Sequence, residues 1–322
     1  MAKTRYAPDR GLTARMTLTM FLLGLVFVAF ITVLVLVLSA TGKVSGGGIV
    51  FFAVLLGLVL GIGSFFYSDK IALSAAQAVV VTPEDDPRAA RLHGIVDRLV
   101  ALANMPKPRV AIAPSPMLNA FATGRNTKTS VLVVTTGLLN SNLDDRELEG
   151  VLAHELSHVA HKDVAVMTIA SFIGIIAGLL VRFAFYSELF GGGGRGRGSN
   201  NNNGGAIPVV LVVLVVGIVT YAISFLLIRL LSRYRELAAD RAGALLTGQP
   251  SALASALQKV SGSMSAIPTK DLRSAEPLNA FYFVPAFKAG GKEVSLNSIF
   301  STHPSLERRL RQLSEISDQL SR

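Results

Sequence analysis

Four apolar stretches dominate this chain, and each is long enough to cross a bilayer, which takes about 20 residues of α-helix. The first runs from about Met16 to Ala40 and the second from about Ile49 to Tyr67, joined by the short hairpin TGKVSGGG. The third, VAVMTIASFIGIIAGLLVRFAFY, covers about 164–186 and holds Arg182, which must snorkel or face protein. The fourth, IPVVLVVLVVGIVTYAISFLLIRLL, covers about 207–231. With 51% hydrophobic and 16% charged residues over 322 positions, the chain is too apolar for an ordinary soluble domain of its size. The first run is too long for a cleavable signal peptide and lacks a small-residue cleavage site, so it reads as an anchor.

Lysine and arginine placement sets the expected orientation. Lys3, Arg5, Arg10 and Arg15 precede the first run, and Arg229, Arg233, Arg235 and Arg241 crowd the end of the fourth, so both ends are expected on the cytoplasmic side. The loop SELFGGGGRGRGSNNNNGG opposes this weakly with two arginines and reads as a flexible connection on the far side. An even number of spans leaves two membrane hairpins, 1–67 and 164–231. The soluble pieces, 68–163 and 232–322, fall on one side and can build one site. The formal charge of +10 fits this membrane reading better than nucleic acid, because the basic residues are scattered and no stacking platform of aromatics is evident. There is no cysteine, so any bound metal must take nitrogen and oxygen ligands.

The first soluble piece reads as a small α+β unit. TPEDDPRAARLHGIVDRLVALANMP has an acidic and proline-bearing start, then Leu92, Ile95, Val96, Leu99, Val100 and Leu102 at helical spacing. RVAIA, LNAFATG and SVLVVTT follow as short strands separated by Pro, Gly and Asn turn signals. SNLDDRELEGVLAHELSHVAHKD opens with capping residues and a glutamate-rich first turn, which places HELSH in mid-helix.

That placement brings His154 and His158, four positions apart, onto one helix face where both imidazoles can reach one zinc ion. Glu155 then stands beside the metal as general base: zinc lowers the pKa of a water to about 7, and the carboxylate takes its proton during attack on a peptide carbonyl. His161 lies about 10 Å along the axis from His154, too far to share the ion, and reads as a solvated or supporting residue. His93, in the earlier amphipathic helix, reads as structural or solvated. Beyond the fourth run, SRYRELAADRAGALL sets Glu236 and Asp240 on a common face. Glu236 would complete a site of two histidines and a glutamate, and Asp240 would accept a hydrogen bond from a ligand histidine and fix its tautomer. Alternatively, Glu236 pairs with Arg233 and Asp240 with Arg241.

HELSH joined through two apolar runs to SRYRELAAD, with the N-terminal helical hairpin, NAFATG and the late STHPSLERRL, resembles the HtpX family of bacterial membrane zinc peptidases, relatives of the eukaryotic CaaX-prenyl endopeptidase. The resemblance covers nearly the whole chain. It implies four transmembrane helices carrying a cytoplasmic gluzincin-type metallopeptidase domain with a small β-sheet. One zinc ion would be held by His154, His158 and Glu236, with Glu155 as base. It also implies a multi-pass protein of the bacterial inner membrane, cutting misfolded or damaged membrane proteins at the cytoplasmic face.

Two stretches take meaning from this reading. LNAFATG would be an edge strand that pairs with an extended substrate, with Asn119 and Ala120 bordering the cleft. His303 would stabilise the developing oxyanion, with Arg233 as competitor, or else cap a helix that carries Leu306, Leu310, Leu313, Ile316 and Leu320 on one side. The family pattern often has a second proline where Ser305 stands. The alternatives are a zinc-stabilised scaffold or chaperone, a prenyl-protein endopeptidase, and a transporter. Structural zinc normally has four protein ligands, the second is associated with more spans, and a conduction path needs polar groups within the membrane. Nothing in the sequence sets an oligomeric state.

Overall fold

The computed structural model describes residues 10–40, 65–171, 209–266 and 303–322, with isolated helical positions at 55, 59, 62, 63, 178 and 179. The chain divides into two compact units, one made of 1–16, 64–166 and 229–322 and the other of 17–63 and 167–228. Helix α1 (Arg10–Ala40) opens the described chain. It is followed by α2 (Ser68–Ala75), strand β1 (Val79–Val80) and helix α3 (Pro87–Ala103). Strands β2 (Arg109–Ala113), β3 (Ala120–Thr123) and β4 (Val131–Thr135) come next, then the short α4 (Thr136–Leu139) and α5 (Asp145–Ala160). The long α6 (Val209–Thr247), α7 (Pro250–Ala266) and α8 (Leu306–Leu320) complete the order.

The four strands stand in the order β1-β2-β4-β3. β4 runs parallel to β2 and antiparallel to β3, in registers that set Val110 opposite Leu132 and Phe121 opposite Val133. All of VLVVT is buried, as expected for a central strand covered on both faces. Successive side chains point to opposite faces. Val110, Leu132 and Val134 join Leu92 and Leu99 of α3 and Leu152 of α5 in the main core, while Ala111, Val131 and Val133 form a smaller core with Ala72 of α2. β1, which the sequence reading did not anticipate, adds two residues antiparallel to β2. β3 stands at the edge opposite β1.

Local chemistry explains where the helices begin. α3 starts at Asp86, whose carboxylate accepts from the Arg88 amide at 2.6 Å, has Pro87 in its first turn, and stops at Asn104 in the left-handed conformation. α5 starts on a capping box: Asp144 accepts from the Glu147 amide at 2.8 Å, and Glu147 accepts from the Asp144 amide at 2.9 Å. The Glu147 carboxylate also accepts from Ser255 at 2.6 Å and pairs with Lys259 at 2.7 Å, tying α7 to the start of α5. Gly150 completes this join, since a Cβ there would lie only 3.2–3.3 Å from Leu253. In α8, Leu313 and Ile316 are buried, but Leu320 is half exposed and does not extend the apolar side as expected. Ser305, not His303, caps α8, accepting from the Arg308 amide at 3.3 Å.

Among the described residues, two helical stretches are long and apolar enough to span a membrane: Arg10–Val33 (mean hydropathy 2.4) and Leu214–Thr247 (2.3). Many of their large apolar side chains lie on the outside, among them Phe21, Leu25 and Val28 in α1 and Val215, Ile218 and Val219 in α6, while Leu23, Phe30 and Leu231 are buried. Apolar surface of this extent is stable in lipid rather than water. The expected spans at 49–67 and 164–186, and the Gly/Asn loop between the third and fourth runs, lie largely or wholly outside the described residues.

Candidate active site

His154 and His158 project from α5, and Glu236 from α6, onto one point. The Nε2 atoms of the histidines are 3.3 Å apart. His154 Nε2 lies 3.7 Å from one Glu236 oxygen, and His158 Nε2 lies 3.5 Å from the other. Each of the three residues offers a donor atom within 4.8 Å of the other two. Ligands about 2.0–2.2 Å from a tetrahedral ion stand about 3.3–3.6 Å from each other, so the two Nε2 atoms and the Glu236 carboxylate converge at close to the spacing zinc requires. The imidazole planes are nearly perpendicular, at 87°, so both lone pairs can converge without the rings stacking.

Each histidine is held from behind by a buried carboxylate. His154 Nδ1 sits 2.9 Å from Asp240 Oδ1, and His158 Nδ1 sits 2.5 Å from Asp163 Oδ2. With Nδ1–H turned to a carboxylate, each ring leaves its Nε2 lone pair for a metal. The carboxylates are themselves anchored. Arg309 of α8 donates twice to Asp240, at 2.7 Å to each oxygen, and Arg235 Nε lies 3.1 Å from Asp163. Burial alone would lower the His154 pKa, but Asp240 and Glu236 outweigh it and raise it to about 9. At His158 burial prevails over Asp163, and the pKa falls. Burial opposes ionisation of Asp163, yet the charge of Arg235 and the His158 hydrogen bond bring it down to about 2.

Glu155, next to His154, is buried, and its Oε2 accepts from the Ala122 amide of β3 at 3.3 Å. Burial is the main cause that pushes its pKa up to about 8, with the Glu236 charge adding to it and that of His154 opposing it. The Ala122 amide therefore points out of the sheet, away from β4, and toward the helix that carries the motif. His303, just before α8, brings Nδ1 to 3.0 Å from Glu236 Oε2. Asn119 has its backbone engaged by Thr135: its amide donates to Thr135 Oγ1 at 3.0 Å, and its carbonyl accepts from the Thr135 amide at 3.0 Å. His161 is the C-cap of α5 and stands outside the cluster, while His93 is buried with Nε2 3.0 Å from the Val81 carbonyl. Arg233 turns its Nε to the Arg229 carbonyl at 3.4 Å.

Residues 86–317 match peptidase family M48. The chain belongs to this family. It is 55% identical over 318 residues to Protease HtpX homolog 1 of Streptomyces coelicolor, covering 99% of this chain and 97% of that one. It is 47% identical over 313 residues to the Protease HtpX homolog of Moorella thermoacetica, covering 97% and 96%. The crystal structure of S. mikatae Ste24p aligns at a TM-score of 0.47 and 20% identity, over 95% of this chain and 66% of that one. This M48 peptidase is a membrane-bound metalloprotease.

Three residues around the M48 site escaped the sequence reading. Asp163 follows the helix end and returns to His158 only because Lys162 adopts a left-handed conformation (φ 59°). An acidic residue five positions after a ligand histidine was the available signal. Arg309 lies 69 residues from Asp240, with nothing local to join them. Asp240 takes this arginine and not its neighbour Arg241 as a bidentate partner, and Glu236 takes His303 rather than Arg233. Gly243, one turn beyond Asp240 on α6, lies directly against α5: a Cβ there would come within 2.9 Å of the His154 amide nitrogen.

Proposed function

We propose that this M48 peptidase hydrolyses peptide bonds of misfolded or damaged membrane proteins at the cytoplasmic face, with one zinc ion held by His154, His158 and Glu236. The observation that carries the proposal is the convergence of the two Nε2 atoms, 3.3 Å apart, on the two oxygens of the Glu236 carboxylate at 3.7 and 3.5 Å, with Glu155 beside the histidines on α5. Zinc supplies Lewis acidity, making water nucleophilic at neutral pH and polarising the scissile carbonyl.

The protein's own groups do the rest. Glu155, aimed by the Ala122 amide, accepts as a carboxylate the proton of the attacking water and passes it to the leaving amine. The edge of β3 aligns the substrate: the Ala120 backbone has the same parity as Ala122, faces away from β4 and can pair with an extended peptide. Asn119, whose backbone is already committed to Thr135, borders the cleft with its side chain. His303 holds Glu236 through Nδ1, and its Nε2 serves the oxyanion. Four spans, with both termini and the site on the cytoplasmic side of a bacterial inner membrane, are supported by the lengths of the apolar runs and the flanking arginines.

The test compares zinc content and casein cleavage of detergent-solubilised wild type, Glu155→Gln and Glu236→Ala. The proposal expects Glu155→Gln to keep its zinc and lose turnover, and Glu236→Ala to lose both. Undiminished cleavage by Glu155→Gln would instead show that the HELSH helix does not supply the catalytic base, and would overturn the proposal.

A further inference from the structure

Three cation–aromatic contacts occur among the described residues, and all three lie where an apolar run ends. The Arg15 guanidinium is 5.9 Å from the Tyr234 ring centroid, joining the start of the first run to the end of the fourth. Lys70 Nζ is 5.5 Å from the Tyr67 ring, at the end of the second run. The third contact is different in kind. Arg125, from the loop between β3 and β4, places its guanidinium 5.0 Å from the Phe66 ring, although the two residues are far apart in sequence. Tyrosine rings at the ends of spans sit at headgroup level, so Tyr67 marks that level and its neighbour Phe66 stands beside it. A loop resting on Phe66 must lie at that level too.

The loop is built to hold this position. Gly124 has φ 137° and leaves no room for a Cβ, which would fall 2.6 Å from the Ser130 Cα. Asn126 Oδ1 accepts from the amides of Lys128 and Thr129, at 2.9 and 3.0 Å. Lys128 is exposed, and among the described residues neither Arg125, Lys128 nor Lys70 meets a carboxylate, whereas nearby Arg109 is paired with Asp69. Phe66, Tyr67 and Ile71 alongside are each half exposed or more. Cations without acidic partners beside an exposed aromatic pair complement an anionic phospholipid surface.

We propose that the β3–β4 loop docks on anionic phospholipid headgroups through Arg125 and Lys128, beside the Phe66–Lys70 segment. The inference rests on the reading of 49–67 as a span. It deepens the proposed function, because Ala122 lies three residues, about 10 Å of extended chain, from Arg125. The edge of β3 would then receive polypeptide as it leaves the bilayer, and bonds close to the membrane surface would be the ones cut.

The chain has no cysteine, so single cysteines can be labelled cleanly. Thr127→Cys and Tyr67→Cys would each carry a bimane fluorophore in the zinc-loaded full chain, in nanodiscs of mixed phosphatidylglycerol and phosphatidylcholine. Quenching is read with lipids bearing a nitroxide high on the acyl chain, under either headgroup. Both labels should be quenched, and at position 127 the phosphatidylglycerol quencher should be favoured by on the order of fivefold per cation. Adding Arg125→Gln and Lys128→Gln should bring the two headgroups to parity at 127 while Tyr67→Cys stays quenched. A quenched 67 with an unquenched 127 overturns the docking and leaves the span standing; no quenching at either position overturns both. Parity at 127 in the otherwise wild-type loop overturns recognition of anionic lipid.

Discussion

Replacing Asp163 with alanine tests whether a carboxylate outside the HELSH motif sets the strength of the metal site. Asp163 is almost wholly buried, its Oδ2 is 2.5 Å from His158 Nδ1, and Arg235 lies 3.1 Å from the same oxygen. Without Asp163, the His158 N–H loses its acceptor, and the ring loses both its fixed tautomer and the basicity a carboxylate lends. Removing such a partner typically weakens metal binding 10–100-fold, or about 1.4–2.7 kcal/mol. A second effect acts on folding: Arg235, itself mostly buried, is left without its carboxylate, and orphaning one member of a buried pair costs about 3–5 kcal/mol. Asp163→Asn separates the two effects, because its carbonyl oxygen still accepts from Nδ1–H while the charge is gone. Zinc affinity would be measured by competition with a chromophoric chelator on detergent-solubilised protein that elutes as a single species. Expected affinities fall in the order wild type, Asn, Ala. If Asp163→Ala binds zinc within about twofold of wild type, the carboxylate does not tune the ligand and the reasoning fails.

Gly243→Ala must push α6 off the His154 backbone by a few tenths of an ångström, so a loss of about 1–3 kcal/mol in denaturant unfolding is expected, together with weaker zinc binding. Arg309→Met leaves the buried Asp240 without its cation, with only His154 Nδ1 beside it, and should cost about 3–5 kcal/mol; Arg309→Lys should not rescue it, since one ammonium cannot reproduce the two 2.7 Å contacts. Burial by itself raises the Glu147 pKa, but hydrogen bonds from Lys259 and Ser255 outweigh it and hold the pKa below the usual carboxylate value. The stability this supplies is present above about pH 4.3 and is lost as pH falls through the lower folded value. Melting curves from pH 7 to 3 should therefore show Glu147→Gln less stable than wild type at neutral pH, with the gap closing in acid.

The sequence reading reached those parts of the fold that depend on neighbours in the chain. The three strands at 109–113, 120–123 and 131–135 fall within the stretches RVAIA, LNAFATG and SVLVVTT, because short apolar or alternating runs between turn residues are a local signal. The capping of α5 was legible in the same way, as DDRE states its own hydrogen bonds. β1 was not, because a two-residue strand exists only through its pairing with β2.

By itself, then, the sequence determined that the chain is too apolar for water alone, that His154, Glu155 and His158 share one helix, and that Glu236 and Asp240 share another. Length and the helical repeat decide these properties, and both act within a few turns of chain. Only the tertiary structure decided that the two helices meet with Glu236 3.5–3.7 Å from both Nε2 atoms, that Asp163 turns back to His158, and that Arg309 locks Asp240. It also decided that α6 could come so close, since the contact depends on Gly243 lying against the His154 backbone. A covalent chain fixes the spacing between near neighbours, but a metal centre needs donor atoms placed to within a few tenths of an ångström from segments more than 70 residues apart, and only the packed core supplies that constraint.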